Sequence, residues 1–205
     1  MRLLVILLLA ASLQPPTAAA QDSTHTRAWA FTASVYGYLV PDSPDFLQPT
    51  VTADRHWLHL EARYNYEHVH TGSLWVGYNL GAGSKVTLDF TPMFGAVFGE
   101  LNGVAPGGEL TVGWWKLEFS SQSEYVFDFA DRSEDFFYNW SQLGVSPVDW
   151  LQLGLVVQRT RLFDTGRDFE RGFFASATWK GFDTGVYVFN PDDTPTVVLS
   201  VGASF

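Results

Sequence analysis

The sequence predicts an all-β fold, a transmembrane antiparallel up-and-down β-barrel, best drawn with twelve strands and alternatively with ten. Three observations predict it. Segment after segment alternates apolar and polar residues with period two, and almost none repeats at 3.6. The segments are joined by turn-rich links that recur roughly every 12–18 residues, the spacing of a sandwich or barrel. Aromatic residues make up 16% of the chain, with 8 Trp and 17 Phe, and there is no cysteine. A secreted chain of this size without disulfides needs either a good core or another solvent, and a bilayer can accept such an aromatic load.

The first twenty residues, MRLLVILLLAASLQPPTAAA, read as a secretory signal peptide cut after Ala20, leaving residues 21–205 as a single barrel domain. Arg2 supplies the positive start, Leu3 to Leu13 the apolar run, and a Pro pair and three alanines the approach to the cut. The run is shorter than the ~20 residues that a spanning helix needs. No later apolar stretch reaches that length. With Arg2 removed, 11 Lys and Arg stand against 22 Asp and Glu. This balance argues against nucleic acid as a partner, since a nucleic-acid surface needs a basic stripe.

Twelve strands follow in order: 28–40, 46–54, 56–66, 72–81, 84–98, 107–115, 116–128, 135–145, 149–161, 170–180, 182–190 and 195–205. In the first, Trp29, Phe31, Ala33, Val35 and Leu39 share one face and Thr32, Ser34, Tyr36 and Tyr38 the other. In the third, Leu58, Leu60, Ala62, Tyr64 and Tyr66 oppose His59, Glu61, Arg63 and Asn65. The fourth sets Leu74, Val76, Tyr78 and Leu80 against Trp75, Gly77 and Asn79. Further on, Val86, Leu88 and Phe90 oppose Lys85, Thr87 and Asp89, and Leu117, Phe119, Tyr125 and Phe127 oppose Glu118, Gln122, Glu124 and Asp128. The last strand runs Val197, Leu199, Val201, Ala203 and Phe205 along its apolar face. The second strand is the weakest because it carries Pro49, and Pro92 in the fifth calls for a bulge, because proline cannot donate to a ladder. A closed barrel with both ends on one side requires an even number.

Counting back from the C-terminus assigns each strand end a side. Trp29, Trp57, Trp114, Trp115, Trp150, Trp179 and Phe205 then fall together at the periplasmic ends, where an aromatic girdle belongs. Acidic residues including Asp42, Glu67, Glu134, Asp164 and Asp192 fall in or beside the longer outer loops. A signal peptide, strands of ~10 alternating residues and a terminal VVLSVGASF ending on phenylalanine together resemble bacterial outer-membrane β-barrel proteins, porin-like in general pattern. The resemblance implies a bacterial outer-membrane location, outer-membrane lipid as surroundings, and the barrel-assembly machinery as a partner that reads the terminal aromatic strand. It also implies that the last strand pairs with the first.

The polar face is expected to line the interior. His59, Glu61, Arg63, Lys85, Asp89, Glu118 and Glu124 are the pore-lining candidates. Mixed charges there have two readings, a narrow water-filled pore of weak cation preference or a filled structural barrel. Neutralising Glu61 and Glu124 is expected to shift ion preference and barely to change folding. Arg159 and Arg161 share parity with lipid-facing Leu155 and Val157. They are candidates for lipid phosphates of the outer leaflet, unless a bulge turns them inward. No catalytic residue, metal ligand set or cofactor is assigned. His25, His56, His59, His68 and His70 belong to no His-x-Ser or Gly-x-Ser-x-Gly pattern, and the EHVH stretch at Glu67–His70 reads as a solvated loop. Two alternatives stay open: a secreted soluble all-β binding domain and a lipid-modifying barrel enzyme.

Overall fold

The computed structural model describes residues 28–41, 43–132, 135–162 and 167–205, without the side chains of 160–162 and 167–168. The expected signal peptide at residues 1–20, Asp42, Glu134, Asp164 and the side chain of Arg161 lie outside the described part.

The alternating segments form β1 (Ala30–Leu39), β2 (Phe46–Arg55), β3 (Leu58–Tyr64), β4 (Thr71–Tyr78), β5 (Leu80–Gly83), β6 (Val86–Gly99), β7 (Gly103–Trp114), β8 (Leu117–Asp128), β9 (Phe136–Val148), β10 (Leu151–Leu162), β11 (Arg167–Trp179), β12 (Phe182–Phe189) and β13 (Thr196–Ser204). Each pairs antiparallel with its chain neighbour, β13 pairs with β1, and β4 pairs with β6. The sheet therefore closes on itself, and a two-sheet sandwich is ruled out. β4 and β5 are one stave. Their register on β6 runs through without offset, from Gly77↔Met93 to Leu80↔Phe90. The closed barrel thus has twelve staves.

The prolines explain where ladders are interrupted. Pro92 pairs with Gly108 on the β7 side, while the β4 ladder skips the Tyr78–Asn79 step opposite it. Pro49 pairs with Val35 but stands past the last β2–β3 partner, and Pro106 pairs with Phe94 where the β8 ladder is open. The expected bulge at Pro92 is replaced by a one-sided ladder gap, because a missing N–H removes only the bond on the side it faces.

β1 begins and β13 ends at one rim, here called the terminal rim. Phe205 exchanges both backbone bonds with Phe31 there (2.8 and 2.9 Å). Every hairpin at this rim uses two residues: His56–Trp57, Ser84–Lys85, Trp115–Lys116, Asp149–Trp150 and Lys180–Gly181. His56, Trp115 and Lys180 are left-handed (φ 58°, 55° and 51°), the backbone that lets a two-residue hairpin follow strand twist. At the opposite, loop rim the links are mostly longer, such as 40–45, 65–70 and 190–195.

Outward positions carry Val35, Leu47, Leu74, Val76, Phe94, Phe98, Leu143, Leu155, Phe173 and Val201, all exposed. A continuous apolar belt on this scale is a lipid-facing surface. Inward positions near the loop rim hold the core, including Val126, Phe136, Tyr138, Trp140, Val156, Phe174, Tyr187, Phe189 and Val198.

Candidate functional site

Parity places His59, Glu61 and Arg63 on the inner face of β3 and Glu124 on that of β8. Strand β3 ends at Tyr64, and Asn65 is left-handed (φ 57°). This reversal breaks the alternation. Tyr66, expected on the outer face, packs against the core instead, and Glu67, expected in a solvated loop, is buried. A left-handed residue ends the extended run, so parity counted through it fails in the link, although β4 again turns its odd positions Ser73 and Trp75 inward.

These side chains converge on Arg63. Its guanidinium donates two bonds to Glu61, from Nε to Oε1 at 2.8 Å and from Nη2 to Oε2 at 2.9 Å. Nη1 donates to Glu124 Oε2 at 2.6 Å and stands 3.8 Å from Glu67 Oε1. The rings of Tyr66 and Trp75 lie 4.3 and 4.4 Å from the guanidinium carbon. Trp75 is free to lie flat there because β6 offers Gly95 opposite it, where a Cβ would come within 2.5 Å of the indole. The bidentate pairing and two-ring stacking use the planar fork of arginine, which lysine lacks.

The network continues toward the terminal rim. Both ring nitrogens of His59 face carboxylates, Nδ1 at 2.9 Å from Asp54 and Nε2 at 3.4 Å from Glu61. Asn79 donates to Asp54 at 2.7 Å and accepts from Thr91 at 2.8 Å. On the other side Tyr66 donates to Gln122 at 2.5 Å, and Gln122 donates to Glu109 at 2.9 Å. Glu67 accepts from Ser73 and from the Trp75 indole. One oxygen each of Glu67 and Glu124 is buried without a hydrogen-bond partner among the described residues.

The interior thus has two halves. From mid-height to the loop rim it is filled by side chains. Trp140 packs edge-on against Tyr36, Tyr187 and Phe189 at 6.2, 5.2 and 5.2 Å between ring centres. Toward the terminal rim it opens into a polar vestibule. One cavity of about 290 Å³ includes Ser34, Thr50, Thr52, Glu61, Glu109 and Gln142 in its lining. A second, of about 380 Å³, shares Tyr36, Ser120 and Gln142 with it and includes Glu118, Asp149 and Asp183.

Of the seven pore-lining candidates, His59, Glu61, Arg63 and Glu124 project inward but are sequestered in the ion-pair network. Glu61 also borders the cavity of about 290 Å³. Asp89 and Glu118 face the interior near the terminal rim and are exposed, and Lys85 sits in the Ser84–Lys85 turn. Glu109 and Glu67 join the interior network and were not among the pore-lining candidates. Glu109 lay on the correct parity, whereas Glu67 gave no signal. Trp29, Trp57, Trp114, Trp115, Trp150, Trp179 and Phe205 all stand exposed at the terminal rim. Arg159 lies in an unbroken stretch of the β10 ladders, so no bulge turns it inward. Its guanidinium carbon is 5.9 Å from the outward Phe137 ring. In the EHVH stretch, His68 holds the Val69 carbonyl at 2.9 Å, and no group of three metal-ligating side chains forms among the described residues.

A closed twelve-stave barrel with an apolar exterior and a partly polar interior has porin-like architecture. KdgM porins are among the solved structures that share the fold. A KdgM porin superposes with a TM-score of 0.60 at 12% identity, covering 85% of this chain and 99% of that one. A KdgM porin in complex with disordered oligogalacturonate superposes with a TM-score of 0.61 at 10% identity over the same shares. No protein-family model matches the sequence, and no curated protein matches it.

Proposed function

We propose that this protein is a bacterial outer-membrane pore of small bore that rests closed and, once open, prefers cations. The observation that carries the reading is the division of the interior. A water-accessible vestibule lined by Glu109, Glu118, Asp149 and Asp183 meets a plug built on Tyr36, Trp140 and Tyr187. Carboxylates behind low-dielectric walls raise the local concentration of cations and repel anions. A polyanion such as the oligogalacturonate named for the related fold finds the wrong sign of charge here. Passage of a solute requires the plug to move, because Tyr36, Trp140 and Tyr187 pack against one another across the interior.

The test is planar-bilayer recording in a salt gradient. Wild-type protein is expected to give rare, small openings. The Trp140→Ala/Tyr187→Ala variant is expected to give steady current with a cation-selective reversal potential. Large, steady wild-type current would remove the closed state. Absence of current in both proteins would leave the filled structural barrel as the function.

A further inference from the structure

The basic residues are sorted by position. All three lysines, Lys85, Lys116 and Lys180, sit in two-residue turns at the terminal rim. Four of the arginines instead gather on β10 and β11 near the loop rim: Arg159, Arg161, Arg167 and Arg171. The ladder pairs Arg161 with Arg167, Arg159 with Phe169 and Val157 with Arg171. All four share the parity of Leu155, Phe169 and Phe173, which are exposed on the barrel exterior. With a rise of ~3.3 Å per residue and strands ~4.8 Å apart, their backbone positions span roughly 13 by 5 Å.

Four arginine positions this close in the ladder concentrate positive charge on one stretch of the wall, and no residue at an outward position of β9, β10 or β11 is acidic. The nearest counter-charge shown is Asp192 in the following loop, whose Oδ2 accepts from Arg171 Nη2 at 2.8 Å with both side chains largely exposed. That hydrogen bond holds the Asp192 carboxyl below its usual range. On the barrel wall beneath Arg171 lies an exterior groove of about 430 Å³, lined by Leu155, Val157, Phe173 and Pro191 with Arg171 and Asp192 at its edge. On the other flank Asn139 pairs with Arg159 across the ladder and joins Ser121, Ser123 and Ser141 in a hydrogen-bonded group on the outer face (2.8–3.0 Å).

We infer that this face of β10–β11 is a binding site for a phosphate-bearing lipid of the leaflet at the loop rim. The arginines take the phosphate and the groove takes an acyl chain. Arginine is the suited residue because its fork meets phosphate oxygens bidentately while its stem lies along apolar surface. The groove opens sideways into the apolar belt, so its occupant is an amphiphile of the bilayer. The hydroxyls and amide beside Arg159 provide donors and acceptors for a hydroxylated headgroup. Asp192 competes for Arg171 and weakens the site.

The inference rests on the exterior being lipid-facing, and migration of unboiled against boiled protein on a gel tests that separately. The binding test uses the full chain, folded in dodecyl maltoside. Retention of lipid A, a bis-phosphorylated acylated disaccharide, is measured by native mass spectrometry against dioleoyl phosphatidylcholine and against inorganic phosphate as competitor. Lipid A is expected to bind at least 10-fold more tightly than the zwitterionic lipid and to resist millimolar phosphate. Arg159→Gln/Arg161→Gln/Arg167→Gln/Arg171→Gln should weaken it at least 10-fold. Replacing all four by Lys, the control should the Gln variant not fold, should weaken it less but measurably. Asp192→Asn should strengthen it two- to threefold, and Lys85→Gln/Lys116→Gln/Lys180→Gln should leave it unchanged. Wild-type affinity in both arginine variants overturns the site. Equal binding of phosphatidylcholine, or displacement by inorganic phosphate, overturns the lipid as its occupant.

Discussion

Replacing Arg63 by Met tests the interior network directly. Arg63 has no exposed side-chain surface, and it touches Glu61 twice, Glu124 once and two aromatic rings. Methionine fills most of the volume but leaves Glu61, Glu67 and Glu124 facing one another with no cation between them. Removing one partner of a buried ion pair destabilises by about 3–5 kcal/mol. The two ring contacts add about 0.5–2 kcal/mol each at desolvated sites, offset in part by methionine packing on the same rings. The expected loss is about 4 kcal/mol. It is read from tryptophan fluorescence during guanidinium unfolding of the barrel in lipid vesicles, with gel mobility of unboiled samples as the folding control. The triple variant Glu61→Gln/Arg63→Met/Glu124→Gln removes the stranded charges and should recover more than half of the loss. A loss under about 1 kcal/mol for Arg63→Met, or a triple variant no more stable than the single, would refute the claim that these charges form one unit.

Three further outcomes follow from the same structure. Glu124→Gln should destabilise by about 1 kcal/mol, since the amide keeps an acceptor oxygen for buried Arg63 but exchanges a charge-assisted bond for a weaker neutral one; unchanged unfolding would restore the expectation of a water-lining charge. Gly95→Val should cost about 1–3 kcal/mol by driving a side chain into the Trp75 ring, seen as a lower denaturant midpoint, and a neutral result would contradict the stacking geometry. Phe205→Asp should lower the assembled fraction far more than Ser204→Asp in membrane fractions, because Phe205 stacks on Phe31 at 5.9 Å and points outward at the closing seam; equal assembly would remove its role.

The sequence by itself determined the faces within the strands, the turns and an even number of staves, with twelve favoured over ten. Period two is a local property: successive Cβ atoms point to opposite sides wherever the backbone stays extended. Leu58, Leu60 and Ala62 therefore separated from His59, Glu61 and Arg63 without knowledge of any neighbour. Turn chemistry is equally local, and an even strand count followed from closure. The tertiary structure alone decided depth and convergence. Which inward side chains meet depends on ladder register and strand tilt, which bring residues 61 positions apart, Arg63 and Glu124, into contact. The reversal at Asn65 turned Tyr66 and Glu67 into the barrel, and the glycine at position 95 made room for Trp75. Whether an inward charge lines water or is sealed in a salt bridge is settled by its partners across the lumen. Those partners are set by closing the sheet, and a strand read alone carries no trace of them.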